Sequence, residues 1–195
     1  MASRIENAEF RKKVTTAEEA AKLIKPGMNV GFSGFTGAGY PKEVPVALAA
    51  QIKEAHARGE EFMIGMWTGA STAPELDGAL AEVDGVAFRT PYQSDPIMRN
   101  KINAGISGYA DIHLSHSGPQ TWAGFLGKLD IAVIEVTAIT ADGELIPSSS
   151  VGNNTTWLAS AEKVILEVNA WQSPDLQGMH DISQGVALPP NRQPP

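Results

Sequence analysis

The sequence predicts an α/β fold in which a largely parallel sheet is flanked by helices. Short apolar runs suited to buried strands alternate with segments whose apolar residues recur at helical spacing. Several of the apolar runs are followed directly by loops of glycine and small polar residues, which mark strand-to-helix connections. With 195 residues, of which 43% are hydrophobic, the chain is long enough to bury a core of its own.

The first elements are a helix, a strand and a longer helix. Thr15 and Thr16 each have a glutamate three positions later, a capping-box pattern that predicts a helix running to Ile24. The apolar run at residues 28–33 predicts the first strand. A second helix is predicted over residues 41–57, where apolar side chains recur every three or four positions.

The middle of the chain repeats this strand–loop–helix pattern twice. Strands are predicted at residues 62–67 and 86–89, because both runs are short and apolar. Each is followed by a polar loop and then by a predicted helix, at residues 74–82 and 97–104. Strands that alternate with helices in this way are typical of a parallel sheet.

The remaining elements complete the sheet. A short strand is predicted at residues 112–114 and a short helix at 120–126. The run at residues 130–136 is the clearest buried strand of the chain. A helix at residues 155–161 and a last strand at 163–168 follow it.

Four polar loops follow predicted strands, and they form the candidate site. In open parallel sheets, ligands bind beyond the carboxyl ends of the strands. The sequence therefore predicts one shared site built from loops that are distant in the chain, namely residues 34–39, 69–72, 90–95 and 148–154.

The first of these loops is rich in glycine but matches no nucleotide-binding motif. Gly34-x-x-Gly37-x-Gly39 departs from the G-x-G-x-x-G dinucleotide spacing, and no Gly-Lys-Ser/Thr follows it. Two interpretations remain open. The glycines either let a ligand approach the main chain closely or serve a tight strand-to-helix connection.

Composition excludes several classes of function. The net charge is −7 and the 15 Lys and Arg residues are scattered, which argues against nucleic-acid binding. No apolar stretch approaches the length of a membrane span, and the first 15 residues carry several charges without a signal-like apolar run. We therefore expect a cytoplasmic protein that does not bind membranes.

Cysteine and histidine usage argues against a metal centre. The chain has no cysteine, so disulfides, thiolate metal sites and cysteine nucleophiles are excluded. His113 and His116 are the only histidines close together, and the alternating pattern around them predicts opposite faces of a strand. We expect no metal site there.

Several segments resemble the class I coenzyme A transferases, in the acetyl-CoA hydrolase/transferase branch that includes succinyl-CoA:acetate CoA-transferases. The matching segments are SGFTGAGYPK (residues 33–42), TGAST (68–72), MRNKINAG (98–105), EVTAIT (135–140), SSVGN (149–153) and EVN (167–169). The resemblance spans roughly residues 4–182 and covers only the amino-terminal half of such enzymes. It implies a CoA-transferase-like domain over residues 1–182, a proline-rich linker or arm at 183–195, and a carboxy-terminal catalytic domain outside this chain.

The resemblance also implies the chemistry. Such enzymes exchange CoA between short-chain acyl-CoA and carboxylates, such as acetyl-CoA, succinyl-CoA and acetate. A glutamate of the carboxy-terminal half attacks the acyl-CoA and is converted through an acyl-glutamyl anhydride into a glutamyl-CoA thioester. CoA is then a substrate, and neither a metal nor a redox cofactor is needed. The isolated chain is expected to be inactive.

The partners implied are small acyl-CoA and carboxylate molecules, the missing carboxy-terminal domain in cis or in trans, and further copies of the chain in a homo-oligomer. An alternative is that the chain is a non-catalytic binding module or one subunit of a split CoA-transferase. An apolar surface left bare by a missing domain would favour such association.

Site residues are inferred by matching positions to the family. Ser71 and Ser94 are expected to act as auxiliary hydrogen-bond donors near the acyl group. The alternative for Ser71 is a helix cap, and the alternative for Ser94 is a turn residue ahead of Asp95. The residues expected to contact substrate are Gly34, Thr36, Gly37, Gly39 and Asn153.

Two glutamates and the four tryptophans are expected to have structural roles. Glu135 and Glu167 end apolar strands, where carboxylates are commonly paired or solvated, so we expect neither to be the nucleophile. The four tryptophans are expected in the core or in an interface rather than as stacking platforms, and they are Trp67, Trp122, Trp157 and Trp171.

Overall fold

A seven-stranded sheet forms the centre of the molecule in the computed structural model, which describes residues 4–180. The strands are β1 (Asn29–Phe32), β2 (Ile64–Ser71), β3 (Val86–Gln93), β4 (Gly108–Tyr109), β5 (Ile131–Ile139), β6 (Leu145–Pro147) and β7 (Lys163–Val168). The proline-rich arm predicted at residues 183–195 lies outside the described residues.

The sheet is mostly parallel, which confirms the predicted fold class. Its main path runs β4-β3-β2-β1-β5, with every neighbouring pair parallel. Strand β7 also pairs with β5 in parallel, and β6 alone runs antiparallel to the end of β5. In the centre, Val30 of β1 lies opposite Met66 on one side and Ile131 on the other. The carboxyl ends of β1, β2, β3 and β5 therefore meet at one edge.

Helices connect the strands. They are α1 (Ala8–Arg11), α2 (Ala17–Ala21), α3 (Glu43–Ala57), α4 (Ala79–Glu82), α5 (Pro96–Asn103), α6 (Leu114–Trp122) and α7 (Asn154–Ser160). Thr16 caps α2 by accepting the amide of Glu19 at 3.3 Å, as the capping box predicts. A π-helical turn at Pro74–Gly78 leads into α4, and a 3₁₀ turn occupies Pro174–Leu176.

Two predicted elements around residue 115 are wrong. Residues 112–114 form no strand, because His113 is the N-cap residue of α6 and the helix begins at Leu114. The helix expected at 120–126 lies earlier, at Leu114–Trp122, because tertiary packing overrides its loop-like composition. A Cβ on Gly118 would lie 3.1 Å from Thr156 Oγ1, which shows how closely this helix packs on α7.

The position of α6 also changes where His113 and His116 lie relative to each other. His113 precedes α6 and His116 lies in its first turn, so their ring centroids are 5.6 Å apart rather than on opposite faces of a strand.

The core has two parts, one on each face of the sheet, because alternate strand residues point to opposite sides. One part packs against α2 to α5 and includes Phe32, Leu48 and Leu80. The other includes Trp67 and Trp157, whose ring centroids are 6.1 Å apart. These two tryptophans confirm the core assignment.

Trp171 differs, since it is 98% exposed among the described residues. None of the helices within residues 4–180 has the length and apolar character needed to cross a membrane.

Candidate active site

The four predicted segments, residues 34–39, 69–72, 90–95 and 148–154, do meet at one edge of the sheet. Two of them are not loops as predicted, because β2 and β3 run longer than expected and include residues 69–71 and 90–93. The loop after β1 pairs with the end of β2, where the Thr36 amide donates to the Ala70 carbonyl. The loop after β3 joins the same point, because the Ser94 amide donates to the Ser71 carbonyl at 3.1 Å. On the other side, Ser150 Oγ donates to the Ala38 carbonyl at 2.7 Å. We call these four segments the rim.

Glycines allow the rim loops to pack directly on one another. A Cβ on Gly69 or on Gly152 would lie 2.7 or 2.6 Å from the Gly34 carbonyl oxygen. A Cβ on Gly39 would lie 2.5 Å from Ser150 Oγ. Contacts this short leave no room for a side chain, so the close approach that these glycines permit is between loops. This geometry favours the tight-connection interpretation for Gly34 and Gly39.

The tip of the first loop is more open. Thr36 is exposed, has a φ of 53° and donates its Oγ1 hydrogen to the Phe35 carbonyl at 2.7 Å. A Cβ on Gly37 would meet no atom within 4 Å. Substrate contact by Thr36 and Gly37 stays a prediction.

Ser71 lies at the bottom of the rim in a buried polar cluster. Its side chain is 3% exposed, and its hydroxyl donates to Asp77 Oδ2. Asp77 Oδ1 accepts from Arg89 Nε at 3.0 Å and from Arg89 Nη2 at 2.9 Å. Solvent reaches neither Asp77 nor Arg89, which are both 0% exposed. The capping alternative for Ser71 is wrong, because the following turn begins at Ala73 without a side-chain cap.

The Arg89 guanidinium also holds the second half of β3. Nη1 donates to the Thr90 carbonyl, and Nη2 donates to the Tyr92 carbonyl at 3.0 Å. The Thr90–Pro91 peptide in this part of the strand is cis. A single buried cation therefore contacts both the Asp77 carboxylate and the backbone that leads to Ser94.

Ser94 is half-buried beside Ser71 and ahead of a helix start. Its carbonyl accepts from Arg99 Nη2 at 3.1 Å, and the next residue, Asp95, caps α5 by accepting two amides. Asn153 is 8% exposed and uses its side-chain amide to bond the Thr68 carbonyl (3.1 Å). It thus braces the end of β2, and its contact with substrate stays a prediction.

Glu135 is paired, as expected, but it lies in the middle of β5 rather than at a strand end, because this strand runs on to Ile139. It is 1% exposed, and its Oε2 accepts from Lys42 Nζ at 2.7 Å and from Asn169 Nδ2 at 3.1 Å. Its Oε1 accepts from Ser148 Oγ at 2.6 Å. Both carboxylate oxygens therefore have partners.

Glu167 caps helix α3 from a distant strand. Its carboxylate accepts the amides of Lys42, Glu43 and Val44 at 2.6, 3.2 and 2.9 Å. Burial raises the pKa of Glu167, the three amide bonds oppose this, and the nearby Glu135 charge adds to the rise. Three orphan donors of α3 are thereby satisfied.

Tyr40 lies next to this pair and bonds Glu75. Its hydroxyl donates to Glu75 Oε2 at 2.7 Å, and Lys42 Nζ lies 4.1 Å from the centroid of its ring. Burial, followed by the bond to Glu75, raises the pKa of Tyr40 to about 12. The phenol therefore stays protonated across the physiological pH range and donates its hydrogen bond to Glu75.

The sequence as a whole settles the family. The family model for the acetyl-CoA hydrolase/transferase N-terminal domain matches residues 1–187. The chain belongs to this family. It is 46% identical over 191 residues to the succinyl-CoA:acetate CoA-transferase of Clostridium kluyveri, covering 98% of this chain and 35% of that protein. It is 38% identical over 203 residues to an acetyl-CoA hydrolase of Schizosaccharomyces pombe, covering 100% of this chain and 38% of that protein.

The acetyl-CoA hydrolase/transferase N-terminal domain thus spans little more than a third of these relatives. Its fold is similar to that of glutaconate coenzyme A-transferase from Acidaminococcus fermentans, with a TM-score of 0.56 and 14% identity. That match covers 80% of this chain and 68% of the other. At this identity the likeness concerns the fold alone.

Sequence reasoning did not identify Asp77 and Arg89 as part of the domain's site. A signal was present, because Asp77 falls between the inward-facing Leu76 and Leu80, and Arg89 follows directly on the apolar residues 86–88. Opposite charges at two apolar positions predict a buried ion pair. Within residues 4–180, no group of three or more His, Asp or Glu side chains is arranged to hold a metal ion.

Proposed function

We propose that this chain is the amino-terminal half of an enzyme that exchanges CoA between short-chain acyl-CoA and carboxylates, with acetyl-CoA, succinyl-CoA and acetate as the substrates. Membership of the family and the names of its relatives support this reaction class. The observation that carries the proposal is the rim, where four polar segments from distant parts of the chain meet around Ser71.

This half supplies the acyl and carboxylate side of a cleft. Ser94 is half-buried on the rim, and in our proposal its hydroxyl donates to an acyl oxygen. Ser71 lies beside it and can only accept a further hydrogen bond, because its one hydroxyl hydrogen is donated to Asp77 rather than to an acyl oxygen as expected from the sequence. Thr36 and Gly37 form the outer wall. Removal of one such donor lowers turnover about 10²- to 10³-fold in enzymes that stabilise an oxyanion.

The nucleophile comes from outside this chain in our proposal. Both candidate glutamates already have other partners, since Glu135 is bonded at both oxygens and Glu167 caps α3. A glutamate of the carboxy-terminal half attacks the acyl carbon and the C–S bond breaks, which releases CoA thiolate. The thiolate then attacks the glutamyl carbonyl of the anhydride, and the acyl group leaves as a carboxylate.

The remaining features belong to the same proposal. The thioester carries the activation, so the reaction uses CoA as a substrate and needs no metal or redox cofactor. We further propose a cytoplasmic homo-oligomer in which the carboxy-terminal half is supplied in cis or in trans.

The test is CoA transfer from acetyl-CoA to succinate. It compares the chain alone, the chain mixed with the carboxy-terminal part of the Clostridium kluyveri relative, and a fusion of the two. We expect activity only when the second part is present, and a loss of that activity in Ser94→Ala. Activity of the chain alone would overturn our placement of the nucleophile, and Glu135→Gln and Glu167→Gln would then locate it.

A fusion that folds but has no activity would favour the second candidate, a binding module. The chain's own binding of acetyl-CoA, measured by calorimetry, would then distinguish a CoA-binding module from a domain that only binds other proteins.

A further inference from the structure

We propose that Asp77 and Arg89 are positioning residues, which hold the Ser71 hydroxyl and the Ser94 loop as one unit. This inference rests on the proposed function for its catalytic consequence, but its structural part can be tested without activity.

The first support is the direction of the Ser71 hydrogen bond. A carboxylate only accepts, so the single hydroxyl hydrogen of Ser71 points at Asp77 Oδ2. Any further hydrogen bond to Ser71 Oγ is therefore one that the serine accepts. Asp77 in turn cannot rotate freely, because its other oxygen receives two bonds from the rigid fork of Arg89.

The second support is the link to Ser94. Arg89 donates to the carbonyls of Thr90 and Tyr92, so it holds the backbone immediately before Ser94. The Ser94 amide then closes a ring of contacts by donating to the Ser71 carbonyl (3.1 Å). Movement at Asp77 is therefore transmitted to both serines.

The third support is burial. A charged pair from which solvent is excluded is costly to place in a core, and packed apolar residues often serve stability equally well. The Asp77–Arg89 pair is buried next to the rim despite this desolvation cost. Its role is better explained by the geometry that it imposes on Ser71 and Ser94. Displacement of a catalytic group by about 1 Å can cost about 10²-fold in rate.

The variants are Asp77→Asn and Arg89→Lys, with Asp84→Asn as the matched control. Asp77→Asn offers an N–H to Ser71 and so opposes the present direction of its hydrogen bond. Arg89→Lys keeps the charge and loses the fork that reaches two carbonyls. The control also removes an ion-paired carboxylate, that of Asp84 with Lys101, away from the rim.

The first measurement needs no enzymatic activity. Amide hydrogen exchange followed by NMR on the chain should show the Ser94 amide protected in the wild type and in Asp84→Asn. Its exchange should be at least tenfold faster in Arg89→Lys. A Ser94 amide that exchanges freely in the wild type, or equally in all the folded variants, would refute the positioning role even if transfer activity were found.

The second measurement is a double-mutant cycle in the fusion enzyme. We expect Asp77→Asn to lower kcat about 10- to 100-fold with little change in KM. In a Ser71→Ala background the same change should have less than a threefold effect, because the group that it positions is gone. Arg89→Lys and Ser94→Ala should be coupled in the same way. Fully additive effects would contradict the proposal, and an inactive wild-type fusion would count against the proposed function alone.

Discussion

Glu167 and Val44 are joined by a 2.9 Å hydrogen bond from the Val44 amide to Glu167 Oε2, across 123 residues of sequence. The bond links the end of strand β7 to the first turn of α3, whose own N-cap residue, Lys42, provides no side-chain cap. The carboxylate of a residue distant in sequence thus caps the N-terminus of α3, a role that a local serine or aspartate usually has.

We predict that Glu167 makes stability depend on pH in a specific direction. Its pKa is raised in the folded state, so the native protein binds this proton more tightly than the unfolded chain does. The contribution of this group is therefore most favourable at low pH and is lost as pH rises from the ordinary glutamate range through the raised value. The free energy of unfolding of wild type minus that of Glu167→Gln should decrease between pH 4 and pH 8. Chemical denaturation across this range tests it, and an increase would contradict it.

Lys42→Met should destabilise the fold, because it leaves Glu135 buried without its cation. We expect a loss of roughly 3 kcal/mol, at the lower end of the range for a broken buried pair, since Lys42 is itself partly exposed. Lys101→Met removes the cation of a pair whose carboxylate, Asp84, is 50% exposed, and it should cost no more than about 1 kcal/mol. Urea unfolding of both variants provides the comparison, and equal losses would argue against the pairing described for Glu135.

Gly152→Ala should destabilise the protein more than Gly59→Ala, although both glycines have a positive φ. Gly152 and Gly59 have φ values of 53° and 77°, but only at Gly152 would the new Cβ meet an atom, the Gly34 carbonyl oxygen. Gly59→Ala should cost about 1–2 kcal/mol for left-handed backbone. Gly152→Ala should cost about 1–3 kcal/mol more through the clash. Thermal unfolding of the two variants measures the difference.

Tyr40 should ionise only in strongly alkaline solution. With a pKa of about 12, raised first by burial and then by Glu75, its phenol stays protonated well above the ordinary tyrosine range. Glu75→Gln removes the bonded carboxylate and should bring this step to lower pH, and Tyr40→Phe should remove it. Absorbance near 295 nm during alkaline titration reports both effects.

The elements that sequence reasoning predicted well are those whose local pattern and final packing agree. Strand β7 was expected at the residues where it lies, and β1 and α3 differ by only a residue or two at their ends. Strand β6 has three residues and pairs antiparallel with β5, which leaves no periodicity for a sequence to display. Helix α6 was misplaced because its Ser, His, Gly and Pro residues are typical of loops.

Part of the candidate site could also be predicted from the sequence, and part could not. The meeting of the four segments follows from topology, because the carboxyl ends of parallel strands share an edge. Their mutual bonding does not, since the contact between Gly34 and Gly152 depends on positions more than a hundred residues apart. The sequence places Asp77 and Arg89 at apolar positions, but that they contact each other depends on the turn at Pro74–Gly78 lying beside strand β3.

The interlocked rim also constrains how this surface can be re-engineered. The Gly34 carbonyl oxygen lies next to both Gly69 and Gly152, so the conformation of each of the three segments depends on the other two. A single loop transplanted from a relative would arrive without its matching surfaces. Exchange of substrate preference by loop grafting should therefore require the three segments to be moved together.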